Sequence, residues 1–262
     1  MQLYRGYTKA TIYAIPVSVY KINNLDISPH NAVLIGTTIW GLICHRHANI
    51  IPLIGLCSYL MNNIYLAMES MNQGSLRSVL AHSNNVKLPW NHHFLDMAIS
   101  ICRAMSYLHG RNHIHKDLSS SSIFVGLNYR STKVGWNDVF GFERAHGKPR
   151  PCDVYLAPEI LSGNSNYDTR SDIYSFGIVL WEMITKESPE QIYSEYQEKM
   201  RRNYSFTNNE FVLEFPSEDL SIPEYVEDLF EDCTDGNPYN RPTFEEILLT
   251  LESEKSKLMA KF

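Results

Sequence analysis

Asp172-Ile173-Tyr174-Ser175-Phe176-Gly177-Ile178-Val179-Leu180-Trp181-Glu182-Met183-Ile184 is the stretch on which the reading of this fold turns. It is apolar on most sides rather than along one stripe, which predicts a helix buried at the centre of a helical unit. Upstream, Phe94, Met97, Ala98, Ile101, Met105 and Leu108 recur at i, i+3, i+4 spacing and predict a helix with one buried face. Downstream, residues 226–233 and 244–251 predict two more amphipathic helices, with residues 252–262 extending the last one before it frays. The first seventy residues read differently. Residues 11–22 alternate and are rich in β-branched and aromatic side chains, predicting a strand with Pro16 near an edge. Residues 50–56 and 64–68 are further strand candidates, and residues 31–43 a helix weakened by Gly36, Gly41 and two threonines. The expectation is an α+β domain of two lobes, a small β-rich one over residues 1–69 and a larger helical one over residues 70–262.

Composition narrows the function. The 262 residues are 44% hydrophobic, enough for a sizeable core, and no apolar run approaches the ~20 residues of a membrane span. Residues 1–68 hold Arg5, Lys9, Lys21 and Arg46 against Asp26, a balance of +3 that leaves −9 for the remainder of a chain of net charge −6. No basic stripe of a nucleic-acid binder is visible. Cys44, Cys57, Cys102, Cys152 and Cys233 are odd in number and lack CxxC spacing, so they read as reduced core thiols and place the chain in the cytoplasm. His109, His113 and His115 cluster, but packing explains them better than a metal does. Residues 203–215 form a long connection, read as a surface insertion.

Six segments, in order, resemble a protein kinase domain. His115-Lys116-Asp117-Leu118 resembles the H-R-D-L catalytic loop, Tyr155-Leu156-Ala157-Pro158-Glu159 the A-P-E segment, and Asp172-Ile173-Tyr174-Ser175-Phe176-Gly177 the start of the central helix. Asn240-Arg241-Pro242 resembles the segment whose arginine pairs with the A-P-E glutamate, and Asn49-Ile50-Ile51 and Gly74-Ser75-Leu76 fit the signatures before strand 4 and after the hinge. The resemblance implies a buried Glu159–Arg241 ion pair. It also implies that Asp172 caps backbone amides of its own helix and of the catalytic loop.

Phosphoryl transfer is mostly positioning and charge neutralisation, and several of its usual parts are missing. Gly6 is the one glycine before the third strand of the resemblance, so no glycine-rich loop forms over phosphates. Tyr20 stands at the strand lysine position and Lys21 one residue later, on the other face unless a bulge intervenes. The helix glutamate that would hold the lysine falls near Thr38, and the first glutamate of the chain is Glu69. Asp117 is present, but Ser122 replaces the metal-binding asparagine and Ser119 the lysine of many serine/threonine kinases. The D-F-G motif is broken in each of three frames: Asp138-Val139-Phe140-Gly141, Val139-Phe140-Gly141, and Gly141-Phe142-Glu143, with an insertion expected in residues 127–137. This inventory is read as a pseudokinase with no cofactor, no metal site and no catalytic residue; nucleotide binding without chemistry is compatible with it.

A closer resemblance is to the mixed-lineage kinase domain-like family of necroptosis. Leu3-Tyr4-Arg5-Gly6, Pro16-Val17-Ser18-Val19, Gly141-Phe142-Glu143, and Tyr167-Asp168 leading into residues 173–182 carry it. That family's N-terminal killer domain is not in this sequence, and residues 144–154 offer no Ser, Thr or Tyr to phosphorylate. The resemblance therefore implies a truncated poxviral homologue, a decoy in the host cytoplasm that binds and sequesters the receptor-interacting kinase and blocks necroptosis, with neither nucleic acid nor membrane as partner, or else a pseudokinase domain excised from a cellular relative. The alternative is an active atypical serine/threonine kinase using Lys21, Asp117 and Asp138.

Overall fold

The computed structural model describes residues 8–12, 15–22, 45–59, 63–82, 93–129, 131–136, 151–162, 167–202, 211, 213–215 and 222–260. In the small lobe, β1 (Thr8–Ile12), β2 (Ile15–Ile22), β3 (Leu53–Tyr59) and β4 (Asn63–Glu69) form an antiparallel sheet in the order β1-β2-β4-β3. The single strand expected over residues 11–22 is thus two strands. The chain reverses between Ile12 and Ile15, which pair with each other, and the sequence there has neither Gly nor Asn to mark a hairpin. Pro16 is exposed and sits one residue before the pairing of β2 with β4 begins at Val17↔Glu69, so its missing N–H costs that ladder nothing.

The strand expected over residues 50–56 begins only at Leu53. Pro52 has no N–H, and the backbone before it bonds to the other lobe: Ile51 N–H to Val134 O at 2.8 Å and Val134 N–H to Asn49 O at 2.8 Å. These bonds fasten the small lobe to a second sheet, β5 (Gly74–Ser75), β6 (Ile123–Val125) and β7 (Thr132–Val134) in that order. The length read as an insertion in residues 127–137 is taken up by a 3-10 turn, Leu127–Tyr129, and by β7 itself.

Seven helices follow among the described residues: α1 (Leu76–His82), α2 (Leu95–His109), α3 (Pro158–Leu161), α4 (Thr169–Thr185), α5 (Pro189–Arg202), α6 (Glu224–Thr234) and α7 (Phe244–Met259). Every residue of α4 from Asp172 to Ile184 except Tyr174 is buried, as its apolar run predicts. Gly177 lets α6 come close: a Cβ there would lie 2.7 Å from Thr234 Cγ2 and 2.9 Å from Cys233 Cβ. The α7 helix starts at a reciprocal cap. Thr243 Oγ1 accepts from Glu246 N–H while Glu246 Oε2 accepts from Thr243 N–H. It packs along α2, where Phe244 meets Phe176 and His109 edge-on. The described part of the long connection docks rather than hangs off the surface. Leu213 is buried, Phe211 packs on Tyr193 and Tyr196, and Trp181 Nε1–H donates to Glu214 O.

The expected helix over residues 31–43 lies outside the described residues, as do Thr38, Asp138, Gly141, Phe142 and Glu143. No helix among the described residues is long and apolar enough to cross a membrane.

Candidate active site

The loop that carries Asp117 leaves α2 and turns beneath the second sheet. Lys116 sits in the left-handed region, at φ 67°, a conformation that costs a non-glycine residue and persists only where its surroundings hold it. Asp172 does the holding. Its Oδ2 accepts from His115 N–H and its Oδ1 from Lys116 N–H, both at 2.8 Å, and His109 Nε2–H adds a third bond at 2.9 Å. Part of the expectation for Asp172 is therefore corrected. It binds the loop, but Asp168 caps α4, accepting from Arg170 N–H at 2.7 Å, because Asp168 is the residue with extended backbone just before the first turn.

His115 fixes the next residue. Its Nε2 lies 2.9 Å from Gly135 O and its Nδ1 3.3 Å from Asp117 N. A carbonyl can only accept and a backbone N–H only donate, so the proton is on Nε2 and Nδ1 receives the Asp117 amide. The ring lies flat on Trp136, centroids 4.5 Å apart and 10° from parallel. His113 meets the edge of the same indole and of His45, and is pushed down to about 4, first by burial and then by the charges of His45 and His115. The ring contacts of His113 and His115 with Trp136 are the packing the sequence suggested; among the described residues no group of three His, Cys, Asp or Glu converges. Cys102 and Cys233 are free and buried, and burial raises both thiols.

The far end of the loop is mounted differently. Ser122 is fully buried; its Oγ–H donates to Ser119 O at 3.0 Å and its oxygen accepts from Ser119 N–H at 2.9 Å. The hydroxyl closes the loop on itself. Ser120 Oγ–H donates to Glu182 Oε1 at 2.8 Å, and Tyr155 Oη–H donates to Glu182 Oε2 at 2.6 Å. Burial raises both Glu182 and Tyr155, with the two hydroxyl bonds pulling Glu182 back down. Arg77, on α1, bonds Glu190 on α5 and reaches Tyr155 Oη at 3.3 Å, while its backbone N–H donates to Ser120 O at 3.1 Å. Burial opposes the guanidinium charge, but the Glu190 bond and the nearby Tyr155, Glu190 and Glu182 outweigh it and hold its pKa above the usual arginine value. Ser120 and Arg77 are absent from the sequence reading, and Tyr155 and Glu182 stand in it only as letters of longer stretches, with no role of their own. The one signal was an acid, Glu182, inside an otherwise apolar run; nothing in the sequence links Arg77 to it.

The Glu159–Arg241 pair forms as expected, two parallel bonds of 2.7 and 2.8 Å with the arginine side chain fully buried and Glu159 partly so. On β2, Tyr20 lies opposite Leu66 and Lys21 opposite Tyr65, and the ladder runs unbroken through both, without the bulge that would move Lys21 into the place of Tyr20. The structure thus brings Asp117, Ser122 and Asp172 into one loop assembly and leaves Thr38 and residues 138–143 outside the described residues.

The family model described as protein tyrosine and serine/threonine kinase matches residues 4–251. Three proteins of Dictyostelium discoideum are similar along the chain. The probable serine/threonine-protein kinase kinX is 30% identical over 260 residues, 95% of this chain and 22% of its own length. The probable serine/threonine-protein kinase drkB is 31% identical over 223 residues, 81% of this chain and 30% of its own. The dual specificity protein kinase splA is 28% identical over 278 residues, 98% of this chain and 11% of its own. The chain therefore spans less than a third of each. These relatives carry the names of protein kinases, which overturns the expectation of a catalytically dead necroptosis decoy and of a chain that is no enzyme. A phosphotransfer site is defined by the charges it places rather than by the letters of a motif, so missing letters are not by themselves lost function.

Proposed function

Because the chain belongs to the protein tyrosine and serine/threonine kinase family, we propose that it transfers the terminal phosphoryl group of a nucleoside triphosphate to a serine or threonine hydroxyl of a protein. The observation that carries the reading is Asp117, on a loop whose backbone is held by Asp172 at His115 and Lys116 and by the His115 ring at the Asp117 amide. A half-buried carboxylate so held can orient an acceptor hydroxyl and take its proton as the oxygen bonds to phosphorus and the nucleoside diphosphate leaves. Lys21 and Asp138 are the remaining candidates for contact with the donor's phosphates. Kinases of this family use magnesium to neutralise those phosphates. The described residues do not fit such a site, since the Ser122 hydroxyl is engaged by Ser119 and no group of three acids or histidines converges among them.

The test is radiolabel transfer from ATP to a generic protein acceptor, followed by phosphoamino-acid analysis. Wild type should label serine or threonine, Asp117→Asn should lose ~100-fold or more, and Lys21→Met should weaken nucleotide use. Labelling no greater than that of Asp117→Asn would sink the reading. Within the family, kinship to the mixed-lineage kinase domain-like proteins is a proposal resting on motifs such as Gly141-Phe142-Glu143 alone. The receptor-interacting kinase is proposed with it as a binding partner, and failure to capture that kinase on the immobilised chain removes it.

A further inference from the structure

The proposed chemistry needs Asp117 held still, and the Asp172 bonds fix only the residues before it. A loop clamped at one end pivots, and an error of ~1 Å at the reacting group costs up to ~100-fold in rate. Three residues beyond Asp117, Ser120 is anchored through both its side chain and its backbone. Its hydroxyl donates to Glu182 and lies 3.3 Å from Tyr155 Oη, Arg77 Nε reaches it at 3.5 Å, and its carbonyl accepts from Arg77 N–H. Glu182 is 3% exposed and lies ten residues beyond Asp172 on α4, so one rigid helix reaches the loop at both ends. The other oxygen of Glu182 takes the Tyr155 hydroxyl, from the 3-10 turn Pro151–Tyr155 that leads into Ala157-Pro158-Glu159. The arginine bonded to Tyr155 ties the same point to α1 and, through Glu190, to α5.

Burying a carboxylate this deeply is costly, and a packed apolar side chain in its place would be expected to stabilise the helix as well or better. Its presence is explained if its two bonds set a geometry. We propose that Glu182 is a positioning residue for phosphotransfer: through Ser120 it fixes the second end of the loop that carries Asp117, and through Tyr155 it sets that loop against the segment before Ala157-Pro158-Glu159. The inference rests on the proposed kinase reading but is testable apart from it.

Ser120→Ala removes the bond on the loop side and leaves the Tyr155–Glu182 bond in place; Glu182→Met removes both; Glu182→Gln keeps an acceptor for one or both hydroxyls. Steady-state transfer should show kcat lowered ~10-fold in Ser120→Ala and Glu182→Met with KM for ATP and acceptor within about twofold, and kcat restored to within about threefold in Glu182→Gln. Hydrogen exchange should show faster exchange across residues 117–122 in Ser120→Ala while residues 176–180 of α4 keep their protection. Unchanged kcat and unchanged loop exchange in Ser120→Ala would overturn the proposal, as would equal loss of protection throughout α4, which would mark a purely structural role. If Glu182→Met does not fold, Ser120→Ala decides alone. Absence of transfer in wild type together with faster loop exchange in Ser120→Ala would refute the kinase reading, and with it a role in phosphotransfer, and leave only the anchoring of the loop by Glu182.

Discussion

Asp172 and Glu182 are two buried carboxylates on one helix under one loop, and they are satisfied in opposite ways. Asp172 accepts backbone N–H groups of His115 and Lys116 and the ring N–H of His109. The two backbone donors cannot turn away and can only donate. Glu182 accepts hydroxyls from Ser120 and Tyr155, which rotate and can accept as well as donate. The first acid is therefore irreplaceable by chemistry, since any group other than a double acceptor leaves a backbone N–H unpaired beside a strained Lys116. The second is replaceable by chemistry but not by shape. Two acids of similar burial thus do different work, one holding the backbone together and one setting the loop's far end.

Four substitutions sharpen or break this contrast. Asp172→Asn puts an amide NH2 against an N–H donor and should cost about 3 kcal/mol or more in urea unfolding, since bonds to charged acceptors contribute ~1.5–3 kcal/mol each. A loss under about 1 kcal/mol would show that the loop backbone has other partners and would end the comparison. Tyr155→Phe leaves one buried oxygen of Glu182 with no donor from the phenol and deprives Arg77 of a partner; about 2 kcal/mol is expected by the same measurement. Gly177→Ala drives a methyl into Thr234 and Cys233 between the two acids, with overpacking of ~1–3 kcal/mol offset by a gain in helix propensity of up to ~1 kcal/mol. A net stabilisation would mean that α4 shifts freely and that neither acid is held by the packing of the helix.

The smallest effect is the most diagnostic. Glu182→Gln should change stability at neutral pH by under about 1 kcal/mol, because both hydroxyls can turn to serve the amide. The pH dependence should differ. The folded Glu182 carboxyl titrates above its unfolded value of about 4.5, so the folded state binds more protons in that window. Wild type should therefore lose stability relative to Glu182→Gln as pH rises from about 4.5 through the raised pKa. Thermal melting across pH 4 to 8 measures the difference, and parallel curves would refute it. His113 acts in the opposite sense. It titrates near 4 when folded, so the stability it contributes above 6.5 is lost as pH falls from 6.5 toward 4. Comparing Glu182→Gln with wild type at each pH cancels that background.

The scaffold was legible in the sequence where one residue type has one physical use. The apolar run into Ile184 and the spacing of Phe94 to Leu108 follow from periodicity, and the Glu159–Arg241 pair from the resemblance of the two segments that hold it. The reading failed where several residues could do one task. Asp168 and Asp172 can both cap a helix, and which does so depends on a backbone angle the sequence does not print. The hairpin between β1 and β2 lacks turn residues, and the start of β3 was displaced by bonds that Ile51 and Val134 make across the lobes. In the site, Asp117 was found from its motif, whereas Ser120, Tyr155 and Arg77 carry no pattern, because a hydrogen-bond network between distant segments leaves no periodic trace.

The bond from Arg77 to Glu190 joins residues 113 positions apart, and Asp172 reaches its loop from 56 and 57 positions downstream. On the ribosome, therefore, Asp117 emerges before the parts that place it have been made. At ~5–20 residues per second the loop waits several seconds for α4 and α5, with the strained Lys116 conformation unsupported in the interval. A nascent chain of this protein holds Asp117 in no defined place until α4 and α5 have been synthesised, so the order of synthesis delays the ordering of that loop.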